Sequence, residues 1–320
     1  MDKKFHPEFA QRYSGIATFM HTPLVYDPSE LDIALIGVPY DGAVENRSGA
    51  RHGPREIRNM SGMIRSIHHV TRINPYKLCR IADIGDVPIT HLFHPGEAHA
   101  DITDFYRKVH AAGVVPLSAG GDHSITLPIL RAIAADKPVG MIQVDAHTDT
   151  ADEELGFKFS HGTPFRRAVE EGFLDPDRTV QIGIRGTQNT EEGWNFSLNS
   201  GMRVIFMEEF TSLGVDAVIA EVRQKVGDGF TYISFDVDGL DPAFAPGTGT
   251  PEIGGISTRE AQALLRGLRG LNLVGGDVVE VAPPFDPSGN TALVGATMMY
   301  EILCLLAESV NVNRKRPQRP

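Results

Sequence analysis

Eight short, mostly apolar runs punctuate the chain: residues 31–38 (LDIALIGV), 80–86, 114–119 (VVPLSA), 139–145 (VGMIQVD), 178–184, 203–207, 230–236 (FTYISFD) and 276–282. Several are near-continuous hydrophobics rather than alternating ones, which is the pattern of strands buried on both faces of a parallel sheet. Between them, apolar residues recur at helical spacing. Ser257-Thr258-Arg259-Glu260 is a capping box that opens a helix, and residues 291–309 read as one long, largely apolar helix. Eight strands with intervening helices predict a three-layer α/β/α domain or a (β/α)8 barrel, and the pattern alone does not choose between them.

No repeat or linker divides the 320 residues, so one domain over 1–320 is expected. Its least structured parts should be an N-terminal extension (about residues 1–30), the Gly- and Pro-rich stretch 239–255 and a flexible basic tail over 311–320. A loop as long as 239–255 inside a compact domain is usually functional. Thirty Lys and Arg against 41 Asp and Glu leave a net charge of −11. Such a chain lacks the basic face that a phosphate backbone demands, so nucleic acid is not expected as a partner. No run approaches the ~20 apolar residues of a membrane span, and the N-terminus lacks the apolar centre of a signal peptide. Cys79 and Cys304 sit in or beside apolar runs and read as reduced core residues of a cytoplasmic protein.

The chemistry concentrates where three predicted strands end. Gly120-Gly121-Asp122-His123-Ser124 follows the third, Asp145-Ala146-His147-Thr148-Asp149 closes the fourth, and Asp236-Val237-Asp238 closes the seventh. Ligands of open α/β sheets gather outside the carboxyl ends of strands. Carboxylates crowded there repel one another unless counter-charge arrives, and two divalent cations would balance four of them. Mixed His and Asp donors suit Mn²⁺, Zn²⁺, Fe²⁺ or Ni²⁺ better than Ca²⁺. Asp122 and Asp241 read instead as cap or turn residues. His91, His94 and His99, and likewise His68-His69, read as solvated surface histidines.

Taken together, GGDHS, DAHTD and SFDVDGLDP…PGTGTPEIGG resemble the ureohydrolase family, from about residue 14 to residue 308. The resemblance implies an eight-stranded parallel sheet between helices, two divalent metal ions (Mn²⁺, with Ni²⁺ as an alternative) and a homo-oligomer, trimer or hexamer. It implies metal ligands His123, Asp145, His147, Asp149, Asp236 and Asp238, with Asp145 and Asp236 bridging. His123 and Asp149 would complete one site, His147 and Asp238 the other. The implied reaction is hydrolysis of a guanidino compound to urea and an amine, by attack of metal-activated water on the guanidinium carbon. Asp149 would orient that nucleophile, and His161, in Ser160-His161-Gly162, would protonate the leaving amine. Glu280 would pair with the guanidinium.

The substrate tail is less constrained. Segments such as RSGARHGPREIR and HGTPFRRAVEEG look most like family members that act on linear guanidino acids, 3-guanidinopropionate or 4-guanidinobutanoate. Residues 46–49, 150–160 and 244–249 should frame the pocket mouth. A carboxylate tail wants a cation there, which Arg47 or Lys158 could supply, with Phe157 beside them. An agmatine ammonium would instead prefer Asp152, Glu153, Phe157 or Phe159. A catalytically silent subunit is the other class of reading, but every residue of the implied site is present.

Overall fold

The computed structural model describes residues 11–315. Eight strands, β1 (Ile33–Gly37), β2 (Ile81–Asp86), β3 (Val115–Ala119), β4 (Val139–Val144), β5 (Leu174–Ile184), β6 (Arg203–Phe206), β7 (Thr231–Asp236) and β8 (Leu273–Val279), form one sheet in the order β2-β1-β3-β8-β7-β4-β5-β6. Every pairing is parallel. The sheet is open, with β2 and β6 as its edges, so the three-layer alternative holds and the barrel does not. All residues of β1, β4 and β7 are buried, as their continuous apolar sequences require. The last expected strand lies three residues earlier than its apolar run suggested, which leaves Glu280 just beyond it.

Ten α-helices among the described residues cover the two faces: α1 (Gly53–Ser61), α2 (Pro75–Leu78), α3 (Pro95–Ala111), α4 (Thr126–Ile133), α5 (Pro164–Glu170), α6 (Glu192–Ser200), α7 (Met207–Leu213), α8 (Val215–Val226), α9 (Thr258–Gly267) and α10 (Asn290–Lys315). The period of two in a strand sends neighbours to opposite sides. Ile33 and Leu35 of β1 therefore join the core under α1, α8, α9 and α10, whereas Ala34 and Ile36 join the core under α3, α4 and α5. Helix α9 begins at the expected capping box, with Ser257 and Glu260 each accepting from the other's backbone N–H.

Several expectations are corrected by packing between elements. Residues 311–315 continue α10 rather than fraying, and Arg314 pairs with Asp32; residues 316–320 lie outside the described part, as do 1–10 of the expected extension. Within that extension Phe19 and Met20 are buried, with the Arg58 guanidinium over the Phe19 ring. Helix α10 is long and apolar enough by length and composition to cross a membrane, which the search for unbroken apolar runs missed, but it is mostly buried inside the fold. His99 is fully buried on the core face of α3, bonded to Ser124 Oγ at 3.1 Å, and burial pushes its imidazole down to about 3. His68 is buried too, with Nε2 2.9 Å from Glu301, whereas His69, His91 and His94 are exposed. Glu301 also receives Arg266, so one buried acid ties the 62–73 segment, α9 and α10 together. Cys79 and Cys304 are buried and unbridged.

Candidate metal centre

The consecutive strands β3 and β4 are separated by β8 and β7, and the carboxyl ends of these four central strands define one crevice. This is where an α/β sheet collects its ligands. His123 follows β3, Asp145 follows β4, Asp236 ends β7 and Glu280 follows β8. His147, Asp149 and Asp238 sit on the turns that leave β4 and β7. All six residues expected to hold metal are therefore brought together.

Their geometry is convergent. His123 Nδ1 lies 3.0 Å from Asp145 Oδ2, 2.9 Å from Asp149 Oδ2 and 3.3 Å from Asp236 Oδ2. It nevertheless has no hydrogen-bond partner. The far nitrogen, Nε2, is 2.8 Å from Ser234 Oγ, whose hydroxyl donates to Asp277 Oδ1 at 2.7 Å. Ser234 must then accept from Nε2–H, which leaves the Nδ1 lone pair facing the carboxylates. A second focus forms around His147 Nδ1, 3.1 Å from Asp238 Oδ2 and 3.6 Å from Asp145 Oδ1.

Four buried carboxylates and two inward-facing imidazole nitrogens match a pair of divalent cations in charge, donor type and number. The electrostatics say the same. Burial and the neighbouring Asp145 lift Asp149 to about 7, and burial with Asp238 and Asp145 lifts Asp236 well above the carboxylate range. Burial opposes charge on His123 and His147, yet the surrounding carboxylates hold both well above the usual imidazole value. Asp145 is the exception: the hydrogen bonds and charges of His123 and His147 outweigh burial and hold it well below the carboxylate range, so its effect is confined to more acid pH. Above about pH 4 the raised acids and histidines act in one direction: the folded state binds more protons than the unfolded one, so stability falls as pH rises. After removal of metal by a chelator, the protein is expected to lose stability between about pH 4, the ordinary carboxylate value, and pH 7, where Asp149 titrates. Asp236→Ala should shrink that slope in thermal melts; equal slopes would refute the crowded carboxylates as its cause.

The backbone around the cluster is shaped for it. Asp149 and Glu280 both take left-handed conformations, with φ of 52° and 62°, a strained choice for a non-glycine residue that recurs at functional sites. Asp145 is anchored by Gln143 Nε2 at 2.7 Å, and Gln143 in turn by Gln181 at 2.7 Å. Asp122 and Asp241 are turn residues as expected, accepting from Ser124 and Ala43 and from Ala243, Gly254 and Gly255 respectively. The loop 239–255 reaches the centre through Thr250, whose hydroxyl lies 3.2 Å from Asp238 Oδ2.

A cavity of about 650 Å³ opens from the cluster. Glu280 is 2% exposed and accepts from the His123 amide at 2.8 Å. His161 stands beside it, with Nδ1 3.5 Å from Glu280 Oε1 and Nε2 2.8 Å from Glu45 Oε2. Of the expected tail residues, Arg47, Phe157, Lys158 and Phe159 do not line this cavity, whereas Asp152 and Glu153, expected beside an agmatine ammonium, do. Arg47 lays its guanidinium on the Phe285 ring at 4.1 Å and donates to the Thr248 carbonyl, so stacking holds it outside. Phe157 and Lys158 are exposed on an adjoining groove, with Lys158 Nζ 4.0 Å from Asp152. Glu45, Asp152, Glu153, Glu154 and Glu192 line the cavity instead, as do Thr187, Gln188, Asn189 and Thr190.

Sequence reasoning missed Glu45, although it stands next to the expected mouth segment 46–49; only the approach of His161 from 116 positions away identifies it. It also missed Gln143 and Gln181, which within strands read as ordinary polar residues.

Known proteins are similar to this chain along nearly its whole length. The chain is 60% identical to a guanidinopropionase of Pseudomonas aeruginosa over 299 residues, 93% of this chain and 94% of that protein. It is 50% identical over 314 residues to a guanidinobutyrase of the same organism, covering 96% and 98%. Among solved structures, the proclavaminate amidino hydrolase of Streptomyces clavuligerus superposes with a TM-score of 0.90 at 39% identity, covering 94% of this chain and all of that one. With the arginase family model matching residues 31–305, the fold and the carboxylate–imidazole crevice lead to one assignment: the chain belongs to the arginase family.

Proposed function

We propose that the protein hydrolyses a linear guanidino acid, 3-guanidinopropionate or 4-guanidinobutanoate, to urea and the corresponding amino acid. The observation that carries this reading is the crevice itself, where six metal-type donors stand beside Glu280 and His161, in a chain similar along nearly its whole length to proteins named for such substrates. The family uses a binuclear divalent metal centre. In this chain His123, Asp145, His147, Asp149, Asp236 and Asp238 would hold it, with Mn²⁺ as the resident ion and Ni²⁺ as the alternative. When bound, two such ions supply a water of lowered pKa at neutral pH.

The chain's own residues supply the rest. Glu280, buried at the strand end, presents a carboxylate to the planar cation and fixes its carbon over the centre. Asp149, turned inward by its left-handed backbone, orients the nucleophile by accepting its proton in a hydrogen bond. His161 delivers a proton from Nδ1 to the departing nitrogen, which leaves as a neutral amine. Among the cavity-lining groups, Thr187, Gln188, Asn189 and Thr190 are neutral donors of the kind a carboxylate tail accepts from. Arg47, Phe157 or Lys158 would reach that tail only by turning inward, away from Phe285 and from the adjoining groove.

A second reading has a specific observation behind it: the five carboxylates that line the cavity besides the metal-type donors (Glu45, Asp152, Glu153, Glu154 and Glu192) suit the cationic tail of agmatine. Three of them are already engaged, Asp152 with Arg167, Glu192 with Arg166 and Glu45 with His161, all at hydrogen-bonding distance. The deciding experiment is urea release from a panel of guanidines by protein reloaded separately with Mn²⁺ and Ni²⁺. One of the two acids should give the highest kcat/KM, and a higher value for agmatine would overturn the acid reading. We further propose a cytoplasmic homo-oligomer, trimer or hexamer, which sedimentation would resolve.

A further inference from the structure

His161 is held between two acids, and they are not equivalent. Its Nδ1 faces Glu280 at 3.5 Å, on the cluster side, whereas its Nε2 is committed to Glu45 at 2.8 Å. The imidazole side chain is 12% exposed and Glu45 is 43% exposed, so Glu45 closes the ring off from the outer side. Glu154 completes a compact group with these two and lies against Gly162, where a Cβ would meet its carboxylate at 2.3 Å. The backbone N–H of His161 donates to the Ala43 carbonyl at 3.1 Å. Two bonds therefore tie the histidine to the one segment 43–45, one through its backbone and one through its ring.

A cationic substrate makes this arrangement matter. Once a guanidinium engages Glu280, that carboxylate no longer balances the imidazolium, and two cations face each other across it. A second negative charge on the opposite edge of the ring is what keeps the imidazolium protonated and aimed. We propose that Glu45 is the positioning residue of the reaction: it holds Nε2–H of His161 so that Nδ1–H points at the departing nitrogen. This inference rests on the guanidine-hydrolase reading. The step balances simply. The carbon–nitrogen bond breaks with its electron pair moving onto nitrogen, the Nδ1 proton moves to that nitrogen, and the neutral imidazole keeps its Nε2–H on Glu45. Burial alone would depress the imidazolium, but the hydrogen bonds to Glu280 and Glu45 outweigh it and hold His161 well above its ordinary value.

The test is a double-mutant cycle on the metal-loaded enzyme. Glu45→Ala should lower kcat about 10-fold to 100-fold, within or below the roughly 10²–10⁴-fold contribution of a whole general acid, with KM and metal content within about twofold of wild type. Glu45→Gln keeps an acceptor without the charge and should fall between. In the His161→Ala background, Glu45→Ala should cost less than about twofold more, because residues that act as a unit are not additive. Full additivity, or a rise in KM at unchanged kcat, would overturn the proposal and make Glu45 a structural or tail-binding residue. The ¹⁵N resonances of His161 in Zn²⁺-loaded protein, assigned with His161→Ala, give a readout free of turnover. The Nε2–H signal should shift in Glu45→Gln, and an unchanged signal in Glu45→Ala would also refute the contact. If wild type turns over no guanidine, the functional reading falls while these spectra still decide whether Glu45 holds the ring.

Discussion

Asp236→Ala is expected to yield a folded protein that has lost metal from both positions and releases no detectable urea. Asp236 ends β7 at the middle of the sheet, with Oδ2 3.3 Å from His123 Nδ1 and Oδ1 accepting the Asp238 amide at 2.8 Å. It thus touches one ligand focus through its side chain and positions a ligand of the other through the backbone. A carboxylate shared by two ions cannot be removed without weakening both, and metal analysis should fall from two ions per chain to below one. The fold should survive, because the lost group is a buried charge that its neighbours already resist. Two tightly held ions with normal turnover would exclude Asp236 from the centre.

His161→Ala should separate chemistry from metal binding. Turnover is expected to drop about 10²–10⁴-fold, the usual span for a general acid, while two ions per chain remain bound. The reason is spatial: His161 approaches Glu280 and Glu45 but is not among the donors gathered around His123 and His147. A loss below about threefold would remove it from the mechanism. Glu280→Gln should act differently, weakening guanidinium binding because it deletes the counter-charge while preserving shape; unchanged kcat/KM would refute that role.

The sheet was legible because burial on both faces leaves an unmistakable local trace. IALIG is wholly apolar and TYISFD carries Tyr232, Ile233 and Phe235 into the core, as a buried parallel strand requires, and all eight runs became strands. The donors were legible for a related reason, since period-two spacing such as Asp145/His147/Asp149 is written within one segment. Contacts between distant segments left no such trace. His99 and His68 looked like solvated histidines because nothing local announces Ser124 or Glu301 as partners. Arg47 looked like a free cation at the mouth, but its stacking on Phe285 depends on a ring 238 positions away. Glu45 was overlooked for the same reason. Charge and composition indicate what a side chain can do, whereas its partner is decided by topology.

That topology also controls when the centre can exist. Ala119 of β3 pairs with Val278 of β8, and Val144 of β4 with Phe235 of β7. No contiguous piece of chain shorter than 123–238 contains all six donors. A nascent chain therefore cannot assemble both ion positions until β7 has emerged, and contacts of such long range form late and slowly. Ions that join the ends of β3, β4 and β7 then act as a clasp across the middle of the sheet. They must leave before those strands can part, so loading should appear chiefly as slower unfolding rather than faster folding.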